Sequence, residues 1–252
     1  MSLLSTIVCD AHVHLNDFNN PFQEIAEAEA VGVKYIVGVG MDVESNKTVL
    51  NIASESHNII KGIGFHPWMI RPENIEENLE FLKTHIKQAD CIGEVGLDYA
   101  IKVSKNLQIE VFQSIVELAV HFNKPLIIHS RHSHERCMKI LKELGAKKAI
   151  FHWYSGSLEI LKGILDEGYY ISVTPALAYS PKHQEAAKFA PLDRILLETD
   201  SPVEYQGIPS KIKDVMTTLK LLSSIKSIQM EEVAKITTKA FLEFFKIKED
   251  LP

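Results

Sequence analysis

The sequence predicts an α/β fold, a (β/α)8 TIM barrel built as a single domain over residues 1–252. Three observations predict it. Short runs rich in Ile, Val and Leu recur eight times, stretches of helical length lie between them, and polar residues collect at the ends of many of those runs. Strands that are apolar throughout suit a parallel sheet buried on both faces. A barrel of this kind commonly uses about 250 residues. A doubly wound open sheet shows the same alternation, but it holds its ligand on a glycine-rich loop after an early strand. Gly38-Val39-Gly40 lacks the third glycine of such a loop.

In chain order, strands are expected at Thr6–Asp10, Lys34–Val39, Ile59–Phe65, Cys91–Val95, Pro125–His129, Ala149–His152, Tyr169–Val173 and Arg194–Thr199. Between them, Gln23–Ala30, Asn74–Lys87, Leu107–Phe122, Glu135–Leu144 and Leu158–Glu167 read as amphipathic helices. Leu107, Val111, Ile115, Leu118 and Phe122 recur at intervals of three and four, which gathers them on one helical face. Gly32, Gly145 and Gly168 stand where helices should stop, because glycine accepts the left-handed conformation that ends them. Lys211–Ile225 and Met230–Phe245 complete the ring as helices. No Pro/Gly/Ser-rich linker or low-complexity tract interrupts the series.

Composition narrows the class. With 46% hydrophobic residues the chain can bury a sizeable core, yet no apolar run approaches the ~18 residues of a membrane span. Met1-Ser2-Leu3-Leu4-Ser5 lacks the basic start and long apolar stretch of a secretory leader. Cys9, Cys91 and Cys137 are odd in number and far apart, so they read as reduced, packed thiols in a cytoplasmic protein. The net charge of −6 argues against a broad basic surface for duplex nucleic acid, though not against an enzyme of nucleic-acid ends.

The chemistry begins at Asp10-Ala11-His12-Val13-His14. Residues two apart in an extended chain point to the same side, so His12 and His14 converge while Val13 turns away. Later strand ends carry Glu94 between two glycines, then His129, His152 and Asp200. Four imidazoles and two acids aimed at one mouth exceed the ligands of a mononuclear centre. They suit two divalent ions (Mg2+, Mn2+ or Zn2+) sharing one carboxylate: His12, His14 and Asp200 on the first, His129 and His152 on the second, Glu94 bridging. Such a pair activates water and stabilises both attacking and leaving oxygens. Asp200 is the candidate general base.

At these residues the chain resembles the TatD family of metal-dependent deoxyribonucleases, within the amidohydrolase group. The matching segments are Asp10–Leu15, Gly64-Phe65-His66-Pro67, Ile92–Tyr99, Pro125–Arg131, His152–Ser157 and Leu196–Pro202, in family order. The resemblance implies a barrel, a cytoplasmic hydrolase, a dinuclear site on the residues above, and phosphodiester cleavage from nucleic-acid ends. It also implies that His66 contacts a substrate phosphate, and Arg131, next to a ligand, could fork onto one. Three positions depart from the family pattern: His132 replaces an acid, Tyr205-Gln206-Gly207-Ile208-Pro209 lacks an asparagine, and Thr237-Thr238-Lys239-Ala240 ends without one.

Other residues carry smaller expectations. Trp68 and Trp153, next to motif histidines, could stack on a base but read first as core or rim packing. Lys102 and Lys105 read as loop cations, and His57, His85, His121 and His183 as helical residues away from the mouth. His132 and His134 lie near it without a role. Two rivals to the nuclease are an esterase, aminoacyl-tRNA deacylase or lactonase on the same centre, and a non-catalytic metal-binding protein. The partner is accordingly a nucleic-acid end or a small ester or phosphodiester, not a membrane.

Overall fold

The computed structural model describes residues 7–248, so Thr6 of the first expected strand and the Met1–Ser5 segment lie outside the described residues. Eight parallel strands follow one another around a single sheet in sequence order: β1 (Val8–Val13), β2 (Val33–Val39), β3 (Ile59–Phe65), β4 (Cys91–Gly96), β5 (Leu126–His129), β6 (Ala149–Phe151), β7 (Tyr170–Val173) and β8 (Ile195–Leu197). Nine helices surround or close it among the described residues: α1 (Pro21–Glu29), α2 (Val43–Glu55), α3 (Ile75–His85), α4 (Lys105–His121), α5 (His134–Glu143), α6 (Leu158–Asp166), α7 (Pro181–Phe189), α8 (Val215–Lys226) and α9 (Met230–Phe245). This is the expected TIM barrel. None of the helices is long and apolar enough to cross a membrane.

The seam between first and last strands is made by polar groups at the mouth. The amide of Asp200 donates to the carbonyl of His12 (3.0 Å), and that of His14 to Ser201 (2.9 Å). The buried carboxyl of Asp10 accepts from the amide and hydroxyl of Thr199 (3.0 and 2.6 Å). Closure and site are therefore built by the same residues. The last strand ends at Leu197: the Glu198 amide still donates to the Val173 carbonyl (2.9 Å), but Thr199 turns its amide and hydroxyl to Asp10 instead of continuing the ladder.

Side chains alternate across the strands. Cys9, Ala11, Val37, Val39, Ile127, Ile150 and Leu196 form an inner cluster, while Val8, Ile36, Ile92, Ile128, Phe151 and Ile171 belong to the outer core. Phe241 and Phe244 of α9 join the inner cluster beside Tyr35 and Tyr170, at the start of their strands. The last helix thus plugs the N-terminal end of the barrel and leaves the C-terminal end open. Burying one such aromatic contributes roughly 1.5–3 kcal/mol.

Helix ends follow from their capping residues. Asn20 accepts from the amide of Gln23 with Pro21 next, Asp42 and Ser45 cap each other's backbone, and Ser157 accepts from Ile160. Gly32, Gly145 and Gly168 have φ of 102°, 74° and 79°, as their placement after helices requires. Several expectations are corrected. The segment from Lys211 begins with a short 3-10 turn, Ile212–Asp214, before α8. His57 lies in a turn before β3. Lys105 is the first residue of α4, its ammonium 4.6 Å from the Tyr99 ring. Two helices escape the apolar spacing. In α2 a buried asparagine interrupts the pattern, and α7 buries only His183, Ala186 and Ala187.

Candidate metal centre

At the C-terminal mouth, a cavity of about 450 Å3 is lined by His14, His66, Glu94, His129, His152 and Asp200, among others. His12 stands just below it, fully buried. All six residues read as ligands from sequence are therefore brought together. The Nε2 atoms of His12 and His14 are 3.4 Å apart, as expected for two residues on one side of a strand.

Glu94 occupies the middle. Its Oε2 lies 3.4 Å from His12 Nε2 and 3.6 Å from His14 Nε2, while its Oε1 lies 2.8 Å from His129 Nδ1 and 2.9 Å from His152 Nε2. The carboxylate thus addresses two separate imidazole pairs, one with each oxygen. Asp200 stands with the first pair, its Oδ1 3.3 Å from His14 Nε2 and 3.4 Å from His12 Nε2. That buried oxygen accepts no hydrogen bond among the described residues. An orphaned buried carboxylate oxygen facing two imidazole nitrogens is costly without a cation. The donor set consequently fits divalent ions.

The backbone holds these groups in place. Asn46 on α2 mimics a peptide towards Gly64, donating to its carbonyl (2.7 Å) and accepting from its amide (2.8 Å). Gly64 in turn lies so close to Glu94 that a Cβ would run into the Glu94 backbone nitrogen and oxygen. Asp200 sits at φ 56°, a left-handed conformation that aspartate adopts more readily than most residues.

Electrostatics follow from mutual burial. Burial would raise the pKa of Glu94, but His66, His152 and His12 around it hold it well below the usual carboxylate range. Asp200 is likewise lowered against its burial by His14 and His12. His14, His129 and His152 are raised, because neighbouring carboxylates outweigh a burial that would lower them.

His66 differs from the four imidazoles grouped as ligands. Its Nδ1 accepts from the amide of Trp68 (3.2 Å), so Nε2 keeps the proton and points it towards Glu94 Oε1 at 3.4 Å. Burial pushes its pKa down to about 4, leaving a neutral donor. His66 also falls within a compact group with Glu94 and His129, but its fixed tautomer makes it a hydrogen-bond donor rather than a ligand. Arg131 is exposed on the cavity rim and forms no ion pair among the described residues. His134 also lines the cavity, edge-on to Tyr154. Trp68 and Trp153 are rim residues, Trp68 being 45% exposed.

Two acids were not singled out from sequence. Asp98 Oδ2 lies 3.0 Å from His129 Nε2 and accepts from Trp68 Nε1 at 2.6 Å, which turns His129 so that Nδ1 faces Glu94. Glu198 accepts from the amide of Trp153 (2.8 Å) and stands 3.5 Å from His152 Nδ1. Carboxylates behind imidazoles orient them and raise their basicity. The signal for Glu198 was its place as an acid directly after the eighth apolar run. The spacing argument that pairs His12 with His14 does not extend to Asp200, whose backbone is left-handed and whose carboxylate meets other imidazoles.

Comparison with known proteins gives the family and the fold. The sequence profile of the family described as TatD related DNase matches residues 9–246. An uncharacterized metal-dependent hydrolase of Bacillus subtilis is 33% identical, over 94% of this chain and 98% of its own. A putative deoxyribonuclease of Mus musculus is 28% identical, over 96% of this chain and 88% of its own. Among solved structures, a TatD homologue from Escherichia coli K12 shares the fold with a TM-score of 0.88, 24% identity, and coverage of 96% of this chain and 98% of that one.

Proposed function

This chain is a metal-dependent hydrolase that belongs to the TatD related DNase family, and from that premise we propose that it is a deoxyribonuclease cleaving phosphodiester bonds at DNA ends. The observation that carries the reading is Glu94, whose two oxygens serve two imidazole pairs at the floor of one cavity. His12, His14 and Asp200 would hold one divalent ion, His129 and His152 a second, and Glu94 both. Bound there, two such ions supply Lewis-acid polarisation of water and of a phosphoryl oxygen. Four imidazole nitrogens favour a transition ion over Mg2+.

The protein's own groups do the rest. The ionised carboxylate of Asp200 lines the cavity and accepts a proton from the attacking water. His66 offers its Nε2 proton to a phosphate oxygen. The guanidinium of Arg131, without an ion pair among the described residues, matches a phosphodiester's charge, which a neutral ester lacks. That cation, with the name of the murine relative, favours the nuclease over the esterase reading. The three unpaired, buried cysteines support a cytoplasmic setting.

The test compares metal-loaded protein on labelled single-stranded DNA and on a panel of neutral esters. We expect Arg131→Ala to lower kcat/KM on DNA by roughly tenfold or more, as loss of a charge-assisted contact does, with little change on an ester. Equal losses on both substrates, or no DNA cleavage by the parent, refute the reading.

A further inference from the structure

A second, more open groove of about 540 Å3 adjoins the cavity and shares Trp68 with it. One wall comes from the turn after β3, with Ile70 and Pro72. The other comes from the loop after β4, with Ile101 and Val103. Arg71 and Lys102 stand on its lining, which includes no acid. The guanidinium of Arg71 donates to the carbonyls of Trp68 and Ile70, so its charge is held at the groove. Lys102 is exposed and forms no ion pair among the described residues.

Trp68 stands between the two spaces. Its indole N–H is tied to Asp98 and its ring lies edge-on to His66, 4.9 Å between centroids, yet almost half of it is exposed. A tethered aromatic face next to apolar walls and cations is what a base with its phosphate needs, since every base offers a π-face for stacking. A duplex would need phosphates neutralised across a much wider surface, and the chain carries a net charge of −6.

We propose that this groove is a subsite for the nucleotides flanking the bond held in the cavity, on a single DNA strand. Trp68 is the stacking plate between the two spaces, and Arg71 and Lys102 face phosphates. The inference rests on the deoxyribonuclease reading. It extends it by making single-strand recognition reach beyond the metal-ligand cluster, along the face between the turn after β3 and the start of α4.

The test is fluorescence anisotropy of the metal-loaded protein with hydrolysis-resistant phosphorothioate oligodeoxynucleotides, from a dinucleotide to an octanucleotide, at several salt concentrations. Affinity of the parent is expected to rise about tenfold with the first added nucleotides and then level off. In Lys102→Ala this gain shrinks, and the slope of log affinity against log salt falls in magnitude by about 0.7, the value of one single-strand phosphate contact. In Ile101→Ser the gain shrinks with the salt slope unchanged. Both positions lie on a surface loop, and thermal melts matching the parent's show that each variant is folded. The same length dependence and salt slope in parent and variants overturns the subsite. If the parent still cleaves DNA in that case, the nuclease reading survives. A parent that neither binds nor cleaves any oligonucleotide overturns both.

Discussion

Replacing Asp98 by asparagine tests how the second imidazole pair is positioned. The carboxylate meets three donors: its Oδ2 faces His129 Nε2 (3.0 Å) and Trp68 Nε1 (2.6 Å), and its Oδ1 accepts from the amide of Ala100 (2.8 Å). An asparagine offers one oxygen and one NH2. With its oxygen towards His129 and Trp68, the NH2 confronts the Ala100 amide; flipped, it confronts both ring donors. Either way at least one buried N–H goes unpaired, which costs about 1–3 kcal/mol. For a chain of this size that lowers Tm by roughly 2–6 °C. The larger effect is on His129, which loses the negative charge that orients it and strengthens its Nδ1 as a donor. Loss of such an outer partner typically weakens metal binding about 10–100-fold. Chelator-competition titration of Asp98→Asn should therefore show one weakened site and one unchanged. Parent-like affinity at both sites, with an unchanged Tm, refutes the positioning argument.

Three further outcomes are expected. Glu94→Ala should lower occupancy at both positions, since each oxygen serves a different imidazole pair; full metal content by elemental analysis refutes the bridge. Asp200→Asn keeps an oxygen and tolerates the left-handed backbone but loses basicity, so kcat should fall by roughly 10²–10⁴ at retained metal content, and near-parent turnover refutes the base. His183 accepts from the Thr174 amide (3.0 Å) and donates to the Tyr154 carbonyl (2.7 Å), an arrangement only the neutral ring satisfies, and burial lowers its pKa. Its contribution to stability is complete above an unfolded value of about 6.5 and is lost as pH falls below it, by up to ~1.4 kcal/mol per pH unit. In His183→Gln, whose amide can copy both bonds, urea unfolding should show a shallower acid-side slope; an unchanged slope would contradict this.

What the sequence by itself determined is the architecture and the convergence of the six candidate ligands. Eight apolar runs could be buried only as a parallel sheet, and the two-residue periodicity of an extended chain put His12 beside His14. Glu94, His129, His152 and Asp200 were legible because each ends an apolar run, and in a barrel all such ends face one mouth. Only the tertiary structure decided which atoms meet. The division of Glu94 between two imidazole pairs, the tautomer of His66 and the turning of His129 by Asp98 depend on contacts from different strands, with no local signature. The α2 helix stayed hidden for a related reason. Its buried Asn46 looks polar in sequence, yet it completes the hydrogen bonds of Gly64, which in turn lets Glu94 approach. Sequence periodicity reports which face a residue takes; the partner it finds there is set by long-range packing.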